Sequence, residues 1–160
     1  MNDKLITIKA AIATFFTALG TFLGWKGVMA LVWVGLMALD YISGTFAAAK
    51  AGEWCSAKAR EGLWHKAGMI LAVVCAGIAD FIMAIILAHI PQDILQISWP
   101  GILFPLVLAW YIITELGSIL ENAVKLGAAV PDWLVKLLKV GLKAVDAAGS
   151  ADTTVENKSE

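Results

Sequence analysis

The sequence has few of the residues that build catalytic or metal sites. Its 160 residues include two cysteines, two histidines and four prolines, and 16% of them are charged. No metal-ligand spacing, nucleophile motif or phosphate-binding loop occurs. Cys55 falls in a predicted loop and Cys75 inside an apolar segment, which suggests neither a disulfide framework nor a metal site. We therefore expect no enzyme activity, no cofactor and no bound metal.

Apolar residues dominate what remains. They make up 60% of the chain, with a mean hydropathy of +0.80, whereas soluble domains contain about 45–50%. A membrane-spanning helix needs about 20 mostly apolar residues, and residues 27–49, 67–90 and 101–120 each meet this length with a single formal charge. Residues 10–25 are a shorter, uncharged candidate for a fourth span. The net charge of −1 gives no reason to expect a nucleic-acid partner.

Lysine and arginine are distributed unevenly between the predicted loops. Residues 50–66 contain four of them, whereas residues 91–100 contain none. By the positive-inside rule the first loop is cytoplasmic and the second is outside, and the lysines after the third span place the C-terminus in the cytoplasm. A fourth span would return Lys4 and Lys9 to the cytoplasm, and we favour it. The alternative is an N-terminal helix that lies on the outer surface.

Residues 127–146 follow the third span and have the pattern of a basic amphipathic helix. Pro131 suits a helix start, and lysines lie opposite a leucine-rich face. The lysines are Lys136, Lys139 and Lys143, and the opposite face comprises Leu134, Leu137, Leu138, Leu142 and Val145. We expect this helix on the inner membrane surface, with packing on the protein's own cytoplasmic loop as the alternative.

The predicted fold is an all-α integral membrane protein, a helical hairpin bundle of three transmembrane helices with a favoured fourth and a C-terminal amphipathic helix. Both termini are expected in the cytoplasm. The polar end of the chain is predicted to be disordered. The parts are an N-terminal helix at residues 1–26, a three-span core at 27–126, the amphipathic helix at 127–146 and the tail at 147–160.

Each predicted span contains one acidic residue, namely Asp40, Asp80 or Glu115. Counted from the lysine that ends each span, Asp40 and Glu115 lie about 15 Å deep and Asp80 about 21 Å, one turn deeper. An ionised carboxylate facing lipid costs about 3 kcal/mol, and no predicted span contains a lysine or arginine to pair with it. The acids are therefore expected to be protonated and hydrogen-bonded between helices, or to face a water-filled lumen.

The acids share their helix faces with small and polar residues. The polar positions are Asp40, Ser43 and Gly44, then Asp80, then Glu115, Ser118, Glu121 and Asn122. A small-residue stripe at every fourth position of the second span comprises Gly68, Ala72, Ala76, Ala84 and Ala88, with Asp80 within it. These faces are expected to meet at helix interfaces, or to line a pore or an ion or proton path between several subunits. Helix packing alone is the alternative.

Three stretches of the sequence resemble a known family. They are LMALDYISGTFAAAKAGEW, EGLWHKAGMILAVVCAGIAD and YIITELGSILENAVKLGAAVPDWL, of which the last is similar to a Tyr-x3-Glu-x2-Ser-Ile-x-Glu-Asn run followed by glycine and proline. The matching positions are Asp40, Gly44, Lys50, Gly52, Gly62, Lys66, Asp80, Tyr111, Glu115, Ser118, Ile119, Glu121, Asn122, Gly127 and Pro131. On these motifs, residues 36–135 resemble the phage-lysis and toxin-secretion holins of the type-four holin superfamily.

The resemblance implies a small protein of the bacterial cytoplasmic membrane, the inner membrane of the host cell, that forms a homo-oligomer and then permeabilises the lipid bilayer. A lysis enzyme (endolysin) or a toxin would leave the cell through the opening, with no direct contact required. One alternative is a small cation or proton channel or transporter, with the same acids as ion sites. Another is an antiholin or membrane scaffold that does not permeabilise the membrane.

Overall fold

The structure is a computed structural model and describes residues 2–91 and 98–150. Within these residues the chain forms four α-helices and no strand. The helices are α1 (Asn2–Lys50), α2 (Ser56–His89), α3 (Leu103–Leu126) and α4 (Asp132–Ser150). The prediction of an all-α fold is confirmed, and α4 continues beyond residue 146, where the amphipathic helix was expected to end.

The first helix, α1, is interrupted at Gly24. This residue has φ 63° and ψ 177°, a backbone conformation outside the helical region that residues with a side chain rarely adopt. The break separates an N-terminal helix from the segment Gly24–Lys50.

Three helical segments of the described residues are long and apolar enough to cross a membrane. They are Gly24–Lys50, Ser56–His89 and Leu103–Leu126. At a rise of 1.5 Å per residue they measure about 40, 51 and 36 Å, against about 30 Å for the hydrocarbon core of a bilayer. The three predicted spans are therefore confirmed as helices of this kind, while the fourth, at residues 10–25, stays a prediction.

The third helix, α3, lies at the centre of the bundle. It packs against α1, α2 and α4, whereas α1 and α2 touch each other in few places. The buried apolar core comprises Trp33 and Met37 of α1, Met69 and Val73 of α2, and Leu108 of α3, which has no exposed surface. The three spans are thus held together mainly through α3.

The outer surfaces of α1 and α2 are apolar. Large side chains on them are at least 50% exposed, including Val32, Phe46, Leu71, Phe81 and Ile86. A soluble monomer rarely leaves an extensive apolar surface in water, whereas lipid tails solvate such a surface well. This surface fits a bilayer environment.

A left-handed glycine ends α3 and turns the chain back on itself. Gly127 has φ 99°, and its amide donates to the Val124 carbonyl at 2.9 Å. The Lys50 ammonium donates to the Leu126 carbonyl at 2.7 Å, which satisfies another carbonyl at the helix end. The next helix, α4, therefore starts beside the end of α3.

The fourth helix, α4, runs back along α3 in the antiparallel direction. A Cβ atom added at Gly141 would lie 3.4 Å from Ile113 Cδ1, and the Trp110 indole N–H donates to Asp146 Oδ1 at 2.8 Å. The main packing partner of α4 is therefore a spanning helix. The alternative prediction, that this helix packs on the cytoplasmic loop, is wrong.

The apolar residues of α4 lie on two faces. Four of the five residues predicted to share one face are partly buried, but Leu137 is 59% exposed. It forms a second apolar stripe with Trp133 and Val140, which are 65% and 63% exposed. The prediction of a single leucine-rich face is therefore wrong at Leu137. The other four residues are partly buried beside α3, whereas Leu137 lies on an apolar surface that α3 leaves exposed.

Candidate functional site

A charged cluster joins the three spanning helices. Lys66 of α2 donates to Asp40 Oδ2 of α1 at 2.9 Å and to both carboxylate oxygens of Glu115 of α3 at 2.8 Å. The side chains of Lys66, Asp40 and Glu115 are 14%, 17% and 3% exposed. These three residues are termed the lysine cluster below. One ammonium group thus binds two carboxyl groups, and each helix contributes one member.

The expectation that Asp40 and Glu115 have no cationic partner is wrong. The sequence places Lys66 in a loop because the apolar run begins at residue 67. In the structure α2 begins at Ser56, so Lys66 is already about 15 Å along the helix and lies within the bundle. Asp40 and Glu115 lie at the same level of the bundle, since both contact one ammonium group; their depth in the membrane stays a prediction.

Asn122 of α3 extends the lysine cluster. Its Nδ2 donates to Asp40 Oδ1 at 3.0 Å and to Ser43 Oγ at 3.1 Å, and the side chain is buried. Gly44 leaves room for it, since a Cβ atom there would lie 3.4 Å from Asn122 Nδ2. Asp40, Ser43, Gly44, Glu115 and Asn122, all singled out from the sequence, are therefore brought together at one place.

Ser118 and Glu121 lie at the edge of this region. Ser118 lines both the cleft between α1 and α2 and the groove between α3 and α4. Glu121 is exposed and lines the second groove together with Lys139. Glu121 is therefore separate from the lysine cluster.

A cleft between α1 and α2 leads to the lysine cluster. Its volume is about 230 Å³, and its lining includes Asp40, Lys66 and Asn122 as well as Glu53 and Lys58 from the region of the α1–α2 turn. The cleft exists because α1 and α2 make few contacts with each other. It has room for several water molecules and polar walls to bind them. Water can therefore reach the lysine cluster from the turn.

Asp80 of α2 caps the first turn of α3. Its Oδ1 accepts hydrogen bonds from the Trp99 indole at 2.8 Å and the Leu103 amide at 3.0 Å, and its Oδ2 accepts one from the Phe104 amide at 2.8 Å. Ile102, at the N-cap of α3, offers no capping side chain. The first amides of a helix lack partners within it, and the positive end of the helix dipole favours an anion. The buried Asp80 carboxylate, on the neighbouring helix α2, provides both the hydrogen-bond acceptors and the negative charge.

Gly101 brings Lys26 close to this cap. The Lys26 ammonium donates to the Gly101 carbonyl at 2.9 Å. Gly101 has φ 69°, and a Cβ atom there would lie 2.7 Å from Lys26 Nζ and 3.6 Å from Asp80 Oδ2. The backbone conformation therefore favours glycine at position 101, and a side chain there would displace the Lys26 ammonium group. Asp80 thus also lies near a cation, contrary to the sequence expectation.

The two polar sites lie far apart along the bundle. Lys66 and Asp80 are separated by fourteen residues of α2, which is about 21 Å of helix. The predicted difference of one turn between Asp80 and the other acids is wrong, because it was counted from Lys66 as though Lys66 ended the span. The buried apolar core fills the distance between the lysine cluster and the Asp80 cap.

The small-residue stripe of α2 is not a continuous seam within one protomer. Ala76 and Asp80 are buried and Ala72 is partly buried. The role of the stripe in contacts between copies stays a prediction. The exposed members of the stripe are Gly68, Ala84 and Ala88.

Sequence reasoning missed Lys26, Lys66 and Trp99 as members of the two polar sites. Lys66 could have been found, because the segment before the apolar run contains no proline and can continue the helix. Lys26 and Trp99 could not, since both lie just outside the predicted spans at residues 27–49 and 101–120. Their contacts depend on how the chain returns to α3, for which the sequence has no local signal.

The fold and the two polar sites define a class, namely multi-pass helical membrane proteins whose spans are joined by buried charges. The chain matches the model of the bacteriophage holin family over residues 17–142, and it belongs to that family. This range includes every residue of the lysine cluster and of the Asp80 cap. Comparisons with curated proteins and with solved structures gave no match.

Lys66→Met is expected to destabilise the protein by about 3–5 kcal/mol, because it leaves two buried carboxyl groups without their cation. Adding Asp40→Asn and Glu115→Gln removes the uncompensated charge and should restore most of the stability that Lys66→Met loses. Thermal unfolding in detergent measures the difference, with Lys58→Met, a change at a side chain that is 68% exposed, as the control. Equal stability of Lys66→Met and Lys58→Met would contradict a buried ion cluster.

Asp80→Asn is expected to weaken the first turn of α3, because it turns one acceptor oxygen into a donor that faces N–H groups. Losing a hydrogen bond to a charged acceptor costs about 1.5–3 kcal/mol, so the Leu103 and Phe104 amides should exchange hydrogen about tenfold faster or more. Hydrogen exchange in a lipid nanodisc measures this. Glu121→Gln, which changes an exposed acid on α3, should leave both amides unaffected. Unaltered exchange in Asp80→Asn would disprove the cap.

Proposed function

We propose that this protein is a holin that assembles with copies of itself in the bacterial cytoplasmic membrane and opens a path for a lysis enzyme or a toxin. The released protein needs no direct contact with it, and we propose no catalytic activity. The proposal rests on membership of the holin family and, above all, on the lysine cluster. Three charged groups lie among the spans at the end of a cleft that water can enter.

A buried ion cluster contributes little to stability alone. Removing an ion from water costs several kcal/mol, and packed apolar residues of similar volume often hold a fold as well or better. A plain membrane anchor would therefore gain nothing from Lys66, Asp40 and Glu115. The cluster is better explained by a second state in which water reaches these groups.

The helix packing supports a particular opening movement. α1 and α2 each pack on α3 and hardly on each other, so their separation would disrupt few contacts. Lys66 donates to Asp40 across this weakly packed boundary. A wider cleft would hydrate both groups. An ion pair in water contributes little net free energy, so separating Lys66 from Asp40 would then cost little. Hydrated faces of several copies would then enclose a lumen that one three-span bundle is too small to form.

Inducible expression in bacteria that contain a cytoplasmic reporter enzyme tests the proposal. We expect an abrupt loss of membrane potential, followed by the appearance of the reporter in the medium. Loss of potential without release of the reporter would instead indicate a small cation or proton channel or transporter. Intact membranes despite full expression would indicate an antiholin or a scaffold. Either of these results would overturn the pore-forming function.

The triple variant Asp40→Asn, Lys66→Met, Glu115→Gln tests the role of the lysine cluster. It keeps side chains of similar size but has no charge to hydrate. We expect it to accumulate in the membrane at the normal level, as measured by immunoblot, while release of the reporter is delayed severalfold or lost. Arg60→Met, which removes an exposed positive charge from α2 outside the lining of the cleft, is the control and should keep the normal timing. Normal timing in the triple variant would remove the lysine cluster from the mechanism.

A further inference from the structure

The fourth helix, α4, lies beside a spanning helix, at the depth of the bilayer. The hydrogen bond between Trp110 and Asp146 lies within the length of α3, and a Cβ atom at Gly149 would lie 3.6 Å from Leu106 Cδ2, near the start of α3. With 19 residues α4 is about 28 Å long, close to the thickness of about 30 Å of the hydrocarbon core. If α3 spans the membrane, α4 as packed here lies within it too.

Three lysines form a stripe on the open side of α4. Lys136, Lys139 and Lys143 are all exposed, and at 3.6 residues per turn they lie within about 60° of arc. Since Gly141 lies beside Ile113, this lysine stripe is level with the middle of α3. The stripe faces away from the residues that pack on α3, and it borders the exposed apolar stripe that contains Leu137.

The lysine stripe has no ion-pair partner in the described part of the chain. The acids near it are Glu121, in the same groove as Lys139, and Asp132 and Asp146 of α4; all three are exposed and need water as well. The buried acids of the spans have other partners. Asp40 and Glu115 bind Lys66, and Asp80 caps α3. Ammonium groups near the middle of a bilayer are strongly unfavourable in lipid, and they lie too far from the surface for all of them to reach it. In this arrangement the stripe requires water.

We propose that α4 is a wall element of the aqueous path, with Lys136, Lys139 and Lys143 facing the lumen and giving the path a preference for anions. This inference rests on the proposed pore function and adds to it the lining residues and the charge of the permeating ions. It adds a cationic wall to the hydrated lysine cluster, whereas the sequence led us to expect only the acidic faces of the spans along the path. The competing arrangement has α4 detached from α3 and lying on the inner membrane surface.

A cross-linking experiment determines where α4 lies. In a background with Cys55→Ser and Cys75→Ser, the pair Leu106→Cys and Gly149→Cys is treated in native membranes with a short bifunctional thiol reagent. We expect an intramolecular cross-link, since a Cβ atom at position 149 would lie 3.6 Å from Leu106 Cδ2. The pair Leu106→Cys and Lys136→Cys is the control and should not react, because position 136 lies about 20 Å from position 149 along α4.

A conductance experiment determines which face of α4 is wet. The protein is reconstituted in planar bilayers as the single variants Lys139→Cys, Lys143→Cys and Leu137→Cys in the same background. A negatively charged methanethiosulfonate reagent should shift the reversal potential from anion toward cation preference in the two lysine variants. Leu137→Cys is the control, because Leu137 is exposed and lies about 3 Å from Lys139 along the helix, about 160° away from it around the axis. Its reversal potential should not change.

The outcomes separate this inference from the pore function itself. Reporter release from cells without the cross-link in membranes would leave the pore function standing and overturn the placement of α4. A cross-link together with an equal response of Leu137→Cys and Lys143→Cys, or with no response of either, would overturn the lysine stripe as lumen wall. A cross-link in a protein that never conducts would overturn the pore function, and with it the proposed lining.

Discussion

The arrangement of the spans depends on one ammonium group. Lys66 of α2 lies between Asp40 of α1 and Glu115 of α3, so all three spans meet in charged hydrogen bonds at a single point. Because α1 and α2 have few other contacts, their relative position is set through α3 and through this cluster. Because the three side chains are largely buried, each contact is strong and each missing partner is costly. A change of solvation at Lys66 would therefore affect the whole bundle.

A dry layer separates the lysine cluster from the Asp80 cap. The cleft allows water to reach Lys66, but the buried apolar core, including Trp33 and Leu108, fills the next part of the bundle. Within the described residues, Trp33 Nε1 is a buried side-chain polar atom without a hydrogen-bond partner. Such a group costs about 1–3 kcal/mol when it is desolvated and regains this when water binds it. The buried apolar core that excludes water thus contains one polar group, the Trp33 indole N–H, that would be stabilised if water entered.

Hydropathy predicted the helical fold and the three spans, because it sums the transfer free energies of single residues, and loop charge predicted the orientation of the spans. They could not predict the partners of the acids, since they treat a lysine outside an apolar run as a loop residue. Lys66 lies just before such a run, although α2 begins about three turns earlier, at Ser56. The Asp80 cap and the position of α4 depend on where the chain returns after Trp99 and Gly127, which the periodicity of one helix does not encode.

A membrane protein that opens on a schedule must not stabilise its closed state too strongly. A change of state needs a gap of about a few kcal/mol or less, so that contacts between copies or a change in membrane potential can reverse the populations. Apolar side chains in place of Lys66, Asp40 and Glu115 would widen that gap, because they have nothing to gain from water. Under the proposed function, the charged cluster would keep the closed bundle specific and yet close in free energy to a hydrated one. That balance would be a defect in an anchor, and it is what a pore-forming function requires.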